Sequence, residues 1–244
     1  MPKPTRILPK LLGSAALVGL LALSACETNR TSLFIRGVLP AEVDTATGGC
    51  TFDAAGDAFL LGGTVDVGLS TGFTLDLAVA NQMISRADQS RLSAETNRVT
   101  ISRAEVRLTS ATALRKSRFS TLIAGIVDPS ADGAQPGLGV VSVNVLEPEV
   151  AAQLLEELKD GGTTDLVAYV KLFGETLGGN DVETDFFQYP FTACAGCLVA
   201  FPPRVDGIID CSSTSATNSA CRLGQNAVVP CALCSQNEYC IPPN

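Results

Sequence analysis

The 244-residue chain contains no histidine. That removes the usual general base, the Ser-His and Cys-His nucleophile pairs, and every imidazole metal site. Tryptophan is also absent and aromatic residues make up only 5% of the chain, so no aromatic cage or base-stacking platform stands out. There is no G-x-G-x-x-G, no P-loop and no S-x-x-K before any lysine. Basic charge is scarce, with 17 Lys and Arg against 25 Asp and Glu. Three of those basic residues, Lys3, Arg6 and Lys10, fall in the first ten positions, and beyond residue 25 the balance is 14 against 25, or −11. Nucleic acid and anionic lipid surfaces both need a basic face, so neither is an expected partner of the folded part. No sequence period stands out, which argues against solenoids and propellers.

What is present begins at the N-terminus. The three early cations precede an uncharged run from Leu11 to Leu23, which ends in Leu23-Ser24-Ala25-Cys26. A positive segment, an apolar segment and small residues make a secretory signal. At 13 residues (11–23) the run is too short to cross about 30 Å of hydrocarbon as a helix. Leu23-Ser24-Ala25-Cys26 resembles the lipobox of bacterial lipoproteins. The resemblance implies cleavage after residue 25, lipidation of Cys26, and attachment to the membrane through that N-terminal lipid. Glu27 is not the aspartate associated with inner-membrane retention, which points to the outer membrane. Residues 1–25 are then the signal peptide and 26–32 a polar tether.

Cleavage leaves 219 residues, enough for one buried β domain with an appendage and short of two full domains. Hydrophobic content of 46% with 17% charge describes a folded globule. Strands are expected over 33–39, 64–69, 73–79, 98–109, 119–127, 139–146, 165–176 and 182–193. Val65, Val67 and Leu69, then Phe73, Leu75, Leu77 and Val79, alternate with Thr, Asp, Gly and Ala, the pattern of strands with one buried and one wet face. Ser70-Thr71-Gly72 between them reads as a hairpin turn. Along 98–109 the apolar residues change phase, from Val99 and Ile101 to Ala104, Val106 and Leu108. One extra residue near Ser102-Arg103 would restore the core face, so a β-bulge is expected there. Residues 177–180 read as a second hairpin turn. Pro148 to Lys159 is the one clear helix, with Pro148 suited to its first position and Gly161-Gly162 to its stop. Residues 81–96 are undecided between loop and short helix. The expected fold is mainly β: an antiparallel β-sandwich of immunoglobulin-like architecture over 33–201, with one short helix. Residues 202–244 form a cysteine-rich extension.

Beyond Cys26 there are eight cysteines: Cys50, Cys194, Cys197, Cys211, Cys221, Cys231, Cys234 and Cys240. An even count in an exported chain reads as four disulfides, whose connectivity sequence does not give. Cys50 has no near neighbour, so its partner is expected in the C-terminal third. Cys194-Ala195-Gly196-Cys197 and Cys231-Ala232-Leu233-Cys234 are both C-x-x-C. They leave two other readings open: a four-thiolate zinc site, against which an oxidising compartment speaks, and a redox pair, against which the preceding strand speaks. Gly68-Leu69-Ser70-Thr71-Gly72 matches a nucleophile elbow, but a strand follows instead of a helix and there is no histidine to act as base. Asp181, Glu183 and Asp185 alternate near a turn and form a weak calcium candidate, or a charged edge that blocks aggregation. Asp53, Asp57 and Asp66 are weaker still.

Cys50-Thr51-Phe52, Gly63-Thr64-Val65-Asp66 and Cys194-Ala195-Gly196-Cys197 are similar to segments of surface lipoproteins of myxobacteria and related large-genome bacteria. That similarity implies no activity and assigns no functional residue. The expected function is that of a non-enzymatic, cofactor-free binding or structural module of the outer membrane, with an envelope protein or polysaccharide as partner. The alternatives are a thiol–disulfide or metal-binding factor working through C-x-x-C, and a calcium-dependent adhesion module.

Overall fold

The computed structural model describes residues 32–44, 49–87, 94–202, 204, 209–211, 221–234 and 237–240. Cys26, the signal segment and the tether up to residue 31 lie outside the described residues. The fold is mainly β. Its strands are β1 (Leu33–Val38), β2 (Glu42–Val43), β3 (Cys50–Thr51), β4 (Gly63–Asp66), β5 (Thr74–Asn81), β6 (Val99–Ser110), β7 (Arg118–Val127), β8 (Gly137–Asn144), β9 (Thr163–Thr176), β10 (Asp181–Glu183), β11 (Phe187–Cys194), β12 (Val199–Ala200) and β13 (Val229–Pro230). One α-helix, α1 (Pro148–Leu158), lies between β8 and β9.

Two sheets hold most of the strand residues. One has the order β1-β5-β8, and the other β4-β11-β9-β6-β7 with β10 also on β9. Both contribute to a single apolar core: Leu33, Leu75, Leu77 and Val143 from the first, Val65, Ile101, Val106, Leu172 and Phe191 from the second. Each such side chain removed from water stabilises by about 1.5–3 kcal/mol before entropy is counted. Helix α1 adds Val150, Leu154 and Leu158 to the same core, the apolar stripe legible in its sequence. Its Pro148 occupies the first turn, where a missing N–H leaves no bond unmade.

The pairing of β6 shifts register between Ile101 and Arg103 against both neighbours. That shift is the expected bulge. It lets Val99 and Ile101 share the core with Ala104, Val106 and Leu108 despite their change of phase. The turn at 177–180 joins β9 to β10 as expected, with the Thr176 N–H donating to the Asn180 carbonyl and the Asn180 N–H to the Thr176 hydroxyl. The strand expected over 182–193 is nevertheless two strands. Glu183 faces Phe173 and Phe187 faces Val170, so this side has one residue more than β9 over the interval. Thr184 fills the gap: its N–H donates to the Leu172 carbonyl and its hydroxyl accepts from the Leu172 N–H.

Two expectations are corrected. The hairpin across Ser70-Thr71-Gly72 does not form, because β4 pairs with β11 and β5 lies between β1 and β8. The turn is a corner between sheets. Alternation fixes which face of a strand is buried, but it does not name the neighbour. The sheets are also not wholly antiparallel, since β4–β11 and β12–β13 pair in parallel.

The C-terminal residues are built into this frame, in the same compact unit as the strands. The Asp66 N–H donates to the Gly224 carbonyl and the Asn226 N–H to the Thr64 carbonyl. The open edge of β4 is thereby covered. Gln225 reaches across the corner, accepting from the Thr74 N–H and donating to the Gly72 carbonyl.

Candidate functional site

All eight described cysteines are paired: Cys50–Cys221, Cys194–Cys197, Cys211–Cys231 and Cys234–Cys240. Cys50 does find its partner in the C-terminal third. The two C-x-x-C motifs behave differently. The first closes on itself, while Cys231 and Cys234 each bond elsewhere. The four sulfurs are therefore not gathered into one tetrathiolate site.

Asp66 completes a cluster around the first motif. Its carboxylate and the sulfurs of Cys194 and Cys197 lie within 4.8 Å of one another. Asp66 is fully buried. One carboxylate oxygen accepts from the N–H groups of Gly196 (2.8 Å) and Gly68 (3.0 Å), the other from that of Leu198 (2.9 Å). Three backbone donors satisfy a charge that would otherwise be costly to bury. The carboxylate thus ties the end of β11 to the exit of β4.

Ser70 sits at the corner that follows. Its hydroxyl donates to the Gly72 carbonyl at 2.7 Å, and Gln225 approaches it from the tail. Strand β5 comes next, so the elbow context is not formed. Asp181, Glu183 and Asp185 are not gathered closely enough to share an ion: among the described residues, only the Asp66 cluster meets that condition. Glu183 is already paired with Lys171 at 2.8 Å. Asp181 and Asp185 are exposed. Asp53 and Asp57 are exposed, and Asp57 approaches Arg36.

A second feature was not legible in the sequence. A cleft of about 490 Å³ opens between the end of β1, the strand β5 and the tail. Val38, Leu39, Pro40, Val43, Phe52 and Leu60 give it apolar walls. Asp76 and Arg222 also line it. The Arg222 guanidinium donates through one nitrogen to both Asp76 oxygens, at 2.7 and 2.9 Å, and the Ser142 hydroxyl also donates to Asp76. Asp76 stands at a position of β5 that alternation assigns to solvent, yet it is only 5% exposed. The tail covers that face, held by Cys50–Cys221. One sequence signal existed: Ala78 and Ala80 follow Asp76 on the supposedly wet face, and small apolar residues there suit a covered surface.

No protein-family model and no curated protein matches the chain. Fold and site define a disulfide-stapled β protein with an apolar cleft over a partly buried ion pair. No helix among the described residues is long and apolar enough to cross a membrane.

Proposed function

We propose that the chain is an outer-membrane lipoprotein, anchored through lipid on Cys26, whose β domain is a non-catalytic binding module. In this reading the two sheets form a sandwich of immunoglobulin-like architecture, and the module needs no cofactor. The lipobox and the paired cysteines support an exported, anchored chain. More than one acyl chain at Cys26 makes the anchor durable, since a single chain holds only marginally. The observation that carries the binding role is the cleft. Apolar walls around a fixed guanidinium suit a partner segment with an apolar body and a hydrogen-bond-accepting group, whether from an envelope protein or a substituted polysaccharide.

The test uses the detergent-solubilised lipoprotein to capture partners from envelope extracts and on a glycan array, beside a Val43→Glu variant. Val43 lines the cleft, is 40% exposed, and can be changed without opening the core. Specific capture that falls at least tenfold in the variant is expected, since a charge in an apolar site costs more than 1.4 kcal/mol. No specific ligand, or capture indifferent to Val43→Glu, removes the cleft from the reading. Labelled palmitate that stays on a Cys26→Ser chain removes the anchor.

A further inference from the structure

We infer that Cys194–Cys197 is a thiol–disulfide exchange site, distinct from the three disulfides that staple the tail. Three features of its surroundings carry this.

The first is how little it constrains. Its partners are three residues apart, against 171, 20 and 6 for the others. A cross-link restricts the unfolded chain less the shorter the loop it closes, so this bond is the least useful of the four as a staple.

The second is access. Cys194 is buried at the end of β11, whereas Cys197 is exposed. An incoming thiolate therefore meets one sulfur and not the other, which fixes the attacked atom and the leaving group.

The third is that the turn does not depend on the bond. Gly196 adopts φ +77°, open to glycine at no steric cost. The Gly196 and Leu198 N–H groups both donate to Asp66, and the Val67 N–H donates to the Cys194 carbonyl. These bonds do not involve the sulfurs, so the two thiols stay close when the disulfide is opened, placed to re-form it by exchange with an incoming disulfide. The Val65 carbonyl lies 3.5 Å from the Cys194 sulfur, ready to accept a bond from its thiol.

The step balances with a dithiol partner. One partner thiolate attacks the Cys197 sulfur, a partner–Cys197 bond forms, and the Cys194–Cys197 bond breaks. The electron pair goes to the Cys194 sulfur, which takes up a proton. The partner's second thiolate then attacks the mixed disulfide and releases Cys197 as a thiol. The partner leaves as a disulfide, oxidised by two electrons, and this chain holds two thiols. The partner class is an envelope protein with a vicinal dithiol. The site exchanges one electron pair per chain and leaves the cleft untouched.

The test uses the full oxidised protein in graded dithiothreitol, quenched by alkylation and mapped by peptide mass, with melting followed in parallel. Label is expected on Cys194 and Cys197 about tenfold sooner than on the other six disulfide-bonded cysteines, while the melting transition of the species with that one bond opened is retained. A second measurement uses Cys194→Ser, whose free Cys197 is expected to take up a mixed disulfide from glutathione disulfide in the folded state. Label appearing first at Cys50 and Cys221, or at all eight together with unfolding, overturns the inference. So does a Cys197 that stays unreactive in the folded Cys194→Ser chain.

Discussion

The hydroxyl of Tyr189 is buried with no hydrogen-bond partner among the described residues. Its ring is held between core side chains, with Phe73 at 6.4 Å. Burial pushes its ionisation up from 10 to about 12. Between those two values the unfolded chain loses a proton that the folded one keeps, so stability is complete below pH 10 and falls as pH rises toward 12. The rise from 10 to about 12 puts that loss at up to about 2–3 kcal/mol. Tyr189→Phe removes an unsatisfied donor at nearly constant shape. It is expected to raise the unfolding free energy from urea titration at neutral pH by about 1 kcal/mol, with a higher midpoint, and to flatten the decline above pH 10. A lower midpoint would mean that the hydroxyl has a partner. Single residues were legible only in part. The alternation in 187–193 places Tyr189 and Phe191 inward, as found, but the same rule sends Asp66 and Asp76 outward. Both acids are buried because distant segments supply their partners, Gly196 and Leu198 for one and Arg222 for the other. No local window contains those residues together.

At the scale of elements, β7 and β8 approach at unusually short range. A Cβ built on Gly139 would stand 2.4 Å from the Ile126 carbonyl oxygen, closer than such atoms come. Gly139→Ala must therefore displace backbone. The expected cost is about 1–3 kcal/mol, read as a lower denaturant midpoint with unchanged slope. An unaltered midpoint would show that the two strands can part freely. Strand positions, the bulge at Ser102 and helix α1 follow from patterns contained within about a dozen residues. Partners do not. The corner at Ser70–Gly72 resembles a hairpin because a turn between alternating segments is common to both arrangements. What redirects the chain is Asp66, bonded to Gly68 and Gly196 at once. The outer face of the large sheet shows a related effect. Arg103 stacks on Phe173 at 3.7 Å and Arg107 on Phe186 at 4.1 Å, so aromatic rings on the solvent side are covered by cations on neighbouring segments.

Across the whole molecule, Cys50–Cys221 is the long tie, spanning 171 residues. Replacing both cysteines by serine is expected to cost about 2–5 kcal/mol in denaturant unfolding. Hydrogen exchange should rise at the Asn226 amide, which the tail brings to β4. A loss no larger than that of the Cys194→Ser/Cys197→Ser double variant would show that the tail is held by its polar contacts alone. The cleft was not legible for the same reason as Asp76: its walls come from opposite ends of the domain.

That closure has a bearing on the order in which the protein is made. Strand β4 emerges from the ribosome well over a hundred residues ahead of β11, and further ahead of Gly224 and Asn226, which flank its other side. Contacts so distant along the chain form late and slowly. During synthesis β1 and β5 can already pair, but β4 has no native neighbour in its sheet until β11 is made. That edge of the large sheet is thus closed only when the last tenth of the chain appears, so the domain is completed only once nearly the whole polypeptide has been made.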